Sequence, residues 1–212
     1  MTQIAWLLFA TAIAFAAVDW FAVARGIRHL RWVSKPVVIL CLIPIPPLLS
    51  GPTGPQRYAF VTALFFSLVG DIALLKDERW FRVGLAAFLL AHLAYGGGFL
   101  AGGVNRGLLI YSVVAVGIVS LGLGGRILRS ILRSGRRGVA VPVSAYLLCI
   151  SAMVALAAAS GKPLALAGAV LFYTSDGLIA WNRFVGPLPS AQVPVIVTYH
   201  LGQAGLVLSL VS

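Results

Sequence analysis

The chain has 212 residues, of which 60% are hydrophobic and only 10% are charged. Soluble domains run nearer a quarter charged, so a water-soluble globule is excluded, and so is a disordered chain. A formal net charge of +11 is the kind of excess that marks nucleic-acid binding, but the placement of the basic residues assigns it to a different partner.

A bilayer core of ~30 Å takes about 20 apolar residues per helix. Apolar runs between polar breaks predict eight helices, at 3–24, 36–50, 57–75, 81–101, 107–125, 139–160, 163–182 and 192–211. The expected fold class is therefore all-α, a polytopic transmembrane bundle forming one domain over residues 1–212. In the first helix, Ala14-Phe15-Ala16 resembles a signal-peptidase site. No basic residue precedes it, however, and the apolar run continues to Ala24, so a retained helix is expected. The second run holds Pro44, Pro46 and Pro47, which predict a kink or an early end.

The connection after the first helix carries Arg25, Arg28, Arg31 and Lys35, and the third carries Lys76, Arg79 and Arg82. The fifth carries Arg126, Arg129, Arg133, Arg136 and Arg137, and the seventh Arg183. Of the 16 basic residues, only Arg57, Arg106 and Lys162 fall on the opposite side. The positive-inside rule then puts both termini on the non-cytoplasmic side. The basic excess is matched to anionic lipid of the cytoplasmic leaflet, and no nucleic-acid partner is expected. Arg far outnumbers Lys, and Ala, Gly and Leu are abundant, the bias of a GC-rich bacterial genome; the expected location is a bacterial inner membrane. Cys41 and Cys149 both fall in apolar runs, so no disulfide framework is expected.

Of the five acids, Asp77 and Glu78 sit in a short basic loop, where solvation accounts for them. Asp19, Asp71 and Asp176 lie within predicted helices, where an ionisable group costs a few kcal/mol and faces the bundle interior or water. At 1.5 Å per residue, Asp71 and Asp176 lie ~20 Å from the non-cytoplasmic surface and Asp19 ~22 Å. Tyr199 and His200 lie ~10 Å from the other surface, with His92 at ~16 Å and Tyr95 just beyond. These residues share one layer, with Lys35, Asn182 and Arg183 toward its cytoplasmic mouth. One inward-opening polar cavity is expected, in which Asp71 and Asp176 meet. Plainer readings stand beside it: Asp19 pairs with Lys35 or a loop arginine, His92 and His200 bond between helices, Tyr95 and Tyr199 pack, and Gly96-Gly97-Gly98 is a packing or hinge device. No glycine pattern for nucleotide binding is present, and neither a cofactor nor a metal is expected.

The two acids also share a context. Phe66-Ser-Leu-Val-Gly-Asp71 and Phe172-Tyr-Thr-Ser-Asp176 each place an Asp after a small residue, late in a helix, and each leads to a helix carrying His and Tyr. Four spans separate the two pairs, which fits a parallel repeat about an axis along the membrane normal.

These segments, with Phe88-Leu-Leu-Ala-His92-Leu-Ala-Tyr95, the continuation Gly177-Leu-Ile-Ala-Trp-Asn182-Arg183-Phe184, Lys35-Pro36, and Tyr199 with Gln203, resemble the YhhN-like membrane family. The resemblance covers most of the chain and is weakest in the fifth and sixth helices. The family includes lysoplasmalogenases, integral membrane enzymes that hydrolyse the vinyl ether of alkenyl lysophospholipids to a fatty aldehyde and a glycerophospho-ethanolamine or -choline. The resemblance implies an ether hydrolase whose partners are a lysophospholipid and membrane lipid, with Asp71 and Asp176 as the catalytic candidates.

Vinyl ethers hydrolyse by protonation of the β-carbon, addition of water to the oxocarbenium ion and collapse of the hemiacetal. Two carboxyls in one low-dielectric pocket can divide these tasks, one protonated and one ionised. One of Asp71 and Asp176 is expected to give the proton and the other to activate water; the sequence leaves open which. Lys35, Asn182 and Arg183 are expected to hold the phosphate, with His92, Tyr95, Tyr199 and His200 lining the substrate site. Rival readings are a metal-dependent membrane lipid hydrolase using the His and Asp residues, an intramembrane aspartyl protease, and a proton-coupled transporter.

Overall fold

A membrane-length apolar stretch must satisfy its backbone hydrogen bonds internally, which favours helix throughout. The computed structural model describes residues 1–49, 54–189 and 191–211, and these are helical with short connections. In chain order the helices are α1 (Gln3–Ala24), α2 (Arg28–Leu42), α3 (Ile45–Leu48), α4 (Gly54–Leu75), α5 (Phe81–Gly102), α6 (Arg106–Arg133), α7 (Ala140–Ala159), α8 (Pro163–Phe184) and α9 (Gln192–Leu208). Side-chain caps fix two of the starts: Ala5 N–H donates to the Thr2 hydroxyl at 3.2 Å, and Leu108 N–H to Asn105 Oδ1 at 3.0 Å. Among the described residues, seven segments are long and apolar enough to cross a membrane, with α2 and α3 together forming one of them, Arg28–Leu48. At 17 residues, α9 spans about 25 Å.

Two boundaries differ from the sequence reading. Helix α2 begins at Arg28 rather than residue 36, and Pro36 lies inside it. Its buried face repeats at helical spacing through Lys35, Ile39 and Leu42, and that packing outweighs the hydrogen bond Pro36 removes. It ends at Leu42, just before Pro44, as the prolines predict. The predicted end of this run, Ser50, lies outside the described residues. Helix α6 continues to Arg133, so Arg126, Arg129 and Arg133 belong to a helix rather than a connection. Ile127 and Ile131 are fully buried on one face of this extension and hold it to the bundle.

Consecutive helices pair as α1–α2, α4–α5, α6–α7 and α8–α9, and α5–α7, α2–α4, α7–α8 and α1–α9 contacts join the pairs. Glycines set the closest approaches. A Cβ on Gly168 of α8 would lie 2.6 Å from the Leu206 backbone nitrogen of α9, and one on Gly70 would lie 2.6 Å from the Phe88 ring. The outer surface is apolar, with Leu121 78% exposed and Leu148 74% exposed, as a lipid-facing wall requires. Helix α6 is the most peripheral; its buried residues are Gly124, Ile127 and Ile131. The alternating helices bring Arg31, Lys35, Lys76 and Arg183 around one cavity, at what is called here the basic end of the bundle.

Candidate active site

The buried polar side chains form three clusters. In the first, Asp71 of α4 receives the Lys35 ammonium at 3.0 Å and the Tyr199 hydroxyl at 2.8 Å. Gln203 Nε2 donates to the Tyr199 oxygen at 3.4 Å, and the Tyr95 hydroxyl donates to Gln203 Oε1 at 2.5 Å. Asp71 is fully buried and Lys35 nearly so. Lys35 is thus an ion-pair partner of Asp71 as well as a wall of the cavity at the basic end, drawn in because α2 extends past it toward that end.

In the second cluster, Asp176 of α8 accepts a short hydrogen bond from the Tyr146 hydroxyl of α7 and lies 3.2 Å from His92 Nε2 of α5. That ring nitrogen also lies 3.0 Å from the Tyr146 oxygen. The Asp176 carboxyl faces a small apolar chamber, about 50 Å³, walled by Phe88, Ile150, Leu85 and Phe184 among others. In the third, Asp19 receives the Ser34 hydroxyl at 2.8 Å and Arg31 Nε at 3.4 Å. Beside it, the Trp20 indole N–H donates to His200 Nδ1 at 3.1 Å.

Asp71 and Asp176 share no hydrogen-bond partner in these clusters. Packed rings stand between their partners: Phe172 lies 4.7 Å from His92 and 5.3 Å from Tyr199, centroid to centroid, and Phe88 packs on both Phe172 and Tyr199. The single cavity expected from their equal depth is instead two cages. Their partners nevertheless follow the duplicated order. Each Asp is met by a residue from the span preceding its own (Lys35 from the α2–α3 span, Tyr146 from α7) and by one from the other half's His/Tyr helix (Tyr199 from α9, His92 from α5).

Among the remaining expected residues, Tyr95 and Tyr199 belong to the Asp71 cage, and His200 bonds Trp20 rather than either catalytic candidate. Asn182 Oδ1 accepts the Leu188 N–H at 2.9 Å and so shapes the loop after α8. Arg183 forms a two-pronged pair with Glu78, at 2.6 and 3.2 Å, and stacks on Phe81. Asp77 pairs instead with Arg79, whose guanidinium holds the Asp77 carboxyl below its usual range. Lys35, Asn182 and Arg183 do share a cavity, about 300 Å³, at the basic end, together with Arg31, Lys76 and Glu78. It abuts the Asp176 chamber across Leu74, Phe81 and Ile179, which line both. Among the described residues, no three His, Cys, Asp or Glu side chains gather as a metal-holding group.

Sequence reasoning missed Tyr146, Trp20 and Ser34. Tyr146 sits in the run Ala145-Tyr146-Leu147-Leu148, where nothing but its hydroxyl separates it from a packing residue. Ser34 is adjacent to Lys35 and was findable as a helix-face neighbour once α2 was known to begin at Arg28.

The bundle is that of an integral membrane protein, with a cation-lined pocket beside an apolar, acid-bearing chamber. The profile of the YhhN family matches residues 30–210, and the chain belongs to that family. Lysoplasmalogenase TMEM86B of Mus musculus is 34% identical over 89% of this chain and 84% of its own length. Lysoplasmalogenase TMEM86B of Homo sapiens is 33% identical over 85% of this chain and 76% of its own. The lysoplasmalogenase of Mycobacterium tuberculosis is 34% identical over 70% of this chain and 58% of its own. No solved structure matches.

Proposed function

We propose that this protein hydrolyses the vinyl ether bond of alkenyl lysophospholipids, releasing a fatty aldehyde and a glycerophospho-alcohol. The relatives' shared activity supports the reaction. The observation that carries the placement is the contiguity of the cation-lined cavity with the Asp176 chamber across Leu74, Phe81 and Ile179. In a lysoplasmalogen the vinyl ether lies one glycerol unit from the phosphate. With the phosphate among Lys35, Arg31 and Arg183, the ether reaches the chamber. Cations in a partly enclosed cavity suit phosphate.

Asp71 lies against the Lys35 ammonium and holds it in place for the headgroup. Asp176 lies against a phenol and an imidazole and borders the apolar chamber; in this reading it is the proton donor. It protonates the β-carbon of the alkenyl group. The Tyr146 hydroxyl and His92 then hydrogen-bond the carboxylate so formed, which balances the charge of the oxocarbenium ion. Water adds to the α-carbon and gives a proton back to Asp176. The hemiacetal collapses to the aldehyde, with the glycerol oxygen leaving as alcohol. In this reading α9 is the eighth crossing and the basic end faces the cytoplasm of a bacterial inner membrane, as the positive-inside rule requires.

The test is incubation of the detergent-purified protein with alkenyl and acyl lysophospholipids of matched chain length. Aldehyde release from the alkenyl substrate alone is expected. Release of fatty acid from the acyl lipid, or no product from either, would overturn the proposal.

A further inference from the structure

A chamber of about 50 Å³ holds only a few water-sized groups at 10–15 Å³ each. It accommodates the reacting ether but not the fatty chain attached to it, and the chain must leave by some other route. The headgroup cavity is no such route, being lined by Arg31, Lys35, Lys76 and Arg183.

Sharing walls with the chamber is a groove of about 610 Å³ between α6 and α8. Val116 and Val119 of α6 and Val170, Leu178 and Trp181 of α8 line it. Leu123, Tyr173 and Gly177 line both the groove and the Asp176 chamber. These three residues border both spaces, and one of them has no side chain. A Cβ on Gly177 would stand 3.1 Å from Leu123 Cδ2, so the shared wall is already at its closest with glycine there. The clasp beside it is polar: the Ser120 hydroxyl lies 3.0 Å from the Tyr173 hydroxyl and 2.8 Å from that of Ser151. These bonds tie α6 to α8 and α7 at the level of the shared wall, on a helix that is otherwise peripheral.

Resting on the hydrolase reading, we propose that the groove between α6 and α8 is the substrate's alkenyl-chain site, and that Gly177 with Leu123 forms the portal through which the chain passes from the acid chamber toward the bilayer. The occupant is a single fatty chain, for three reasons. The groove is lined almost wholly by apolar side chains, it shares three wall residues with the chamber that holds Asp176, and its walls include Val119 and Val170, which are exposed on the apolar outer surface. Burial of methylenes in such a groove contributes binding in proportion to chain length.

Two measurements test this. In the first, Gly177→Leu and Val119→Trp fill the portal and the groove. The ratio of kcat/KM for a long-chain to that for a short-chain alkenyl lysophospholipid should fall by about ten-fold or more, since one misplaced methylene in an apolar pocket is worth 10–200-fold. Leu93→Trp, on an exposed face of α5 outside the groove, should leave the ratio unchanged. A ratio held within two-fold in both filling variants would overturn the proposal. The second measurement does not depend on turnover. A non-cleavable alkyl-ether lysophospholipid carrying a diazirine near the chain end should label peptides containing residues 115–119 and 170–174 in the intact protein. Labelling confined to other helices would overturn the groove assignment even if the enzyme proved active. Groove labelling without aldehyde release would retain the groove as a chain site and refute the reaction.

Discussion

Replacing each of the two carboxylates, Asp71 and Asp176, by its amide separates the two roles. Asp176→Asn preserves shape: an amide oxygen in the place of Oδ2 still meets both Tyr146 and His92, so neither partner is stranded. It removes the transferable proton. General acid catalysis is worth ~10²–10⁴ in rate, about 3–5 kcal/mol at 1.36 kcal/mol per decade, and kcat should fall by that factor with the midpoint of unfolding nearly unchanged. Asp71→Asn acts on a different quantity. The side chains of Lys35 and Asp71 are 9% and 0% exposed, so the ammonium loses a counter-charge in a site with little water. Removing one partner of a buried pair costs about 3–5 kcal/mol. For a chain of this size that corresponds to a Tm lower by roughly 6–20 °C, along with a raised KM as Lys35 loses its position. Thermal unfolding in detergent by tryptophan fluorescence gives the first number and aldehyde release the second. Equal losses of kcat in both variants, with Tm unmoved in both, would refute the division of roles and restore a single proton-sharing pair. Wild-type turnover by Asp176→Asn would end the acid assignment outright.

Tyr146→Phe removes a hydrogen bond to a group that becomes charged during the reaction, worth about 1.5–3 kcal/mol; kcat should fall roughly ten- to hundred-fold, and an unchanged kcat would reduce Tyr146 to packing. Lys35→Met should raise KM for the phosphate-bearing substrate by at least about ten-fold relative to a headgroup-free alkenylglycerol, on the same scale for charged hydrogen bonds. An unchanged ratio would move the phosphate elsewhere. Gly168→Ala places a Cβ 2.6 Å from the backbone of α9 and, as overpacking, should destabilise by about 1–3 kcal/mol. A Tm equal to that of the parent would show that α8 and α9 can part freely there.

The helices, and the position of Asp71 and Asp176 within them, are legible because apolar length and misplaced charge are one-dimensional signals. What was not legible is rotation about the helix axes. Asp71 and Asp176 were placed at one depth, but depth does not say which way a side chain points, and Phe88 and Phe172 come between their partners. Lys35 counts with the basic residues of the first connection on charge alone, whereas its spacing to Ile39 and Leu42 is that of a buried helix face, strong enough to tolerate Pro36 within the helix. Arg126, Arg129 and Arg133 were read as a connection because they are charged. Their spacing is helical, and the isoleucines on the other face, Ile127 and Ile131, are the residues that carry α6 onward. Tyr146 gave no signal at all, since its role exists only through α5 and α8.

The central claim is that a proton is delivered to carbon, and the product records it. With the reaction run in deuterium oxide and the aldehyde trapped at once by reduction, the recovered alcohol should carry one deuterium at C2, the former β-carbon of the vinyl ether. An alcohol with no deuterium at C2 would contradict the mechanism whatever the rate.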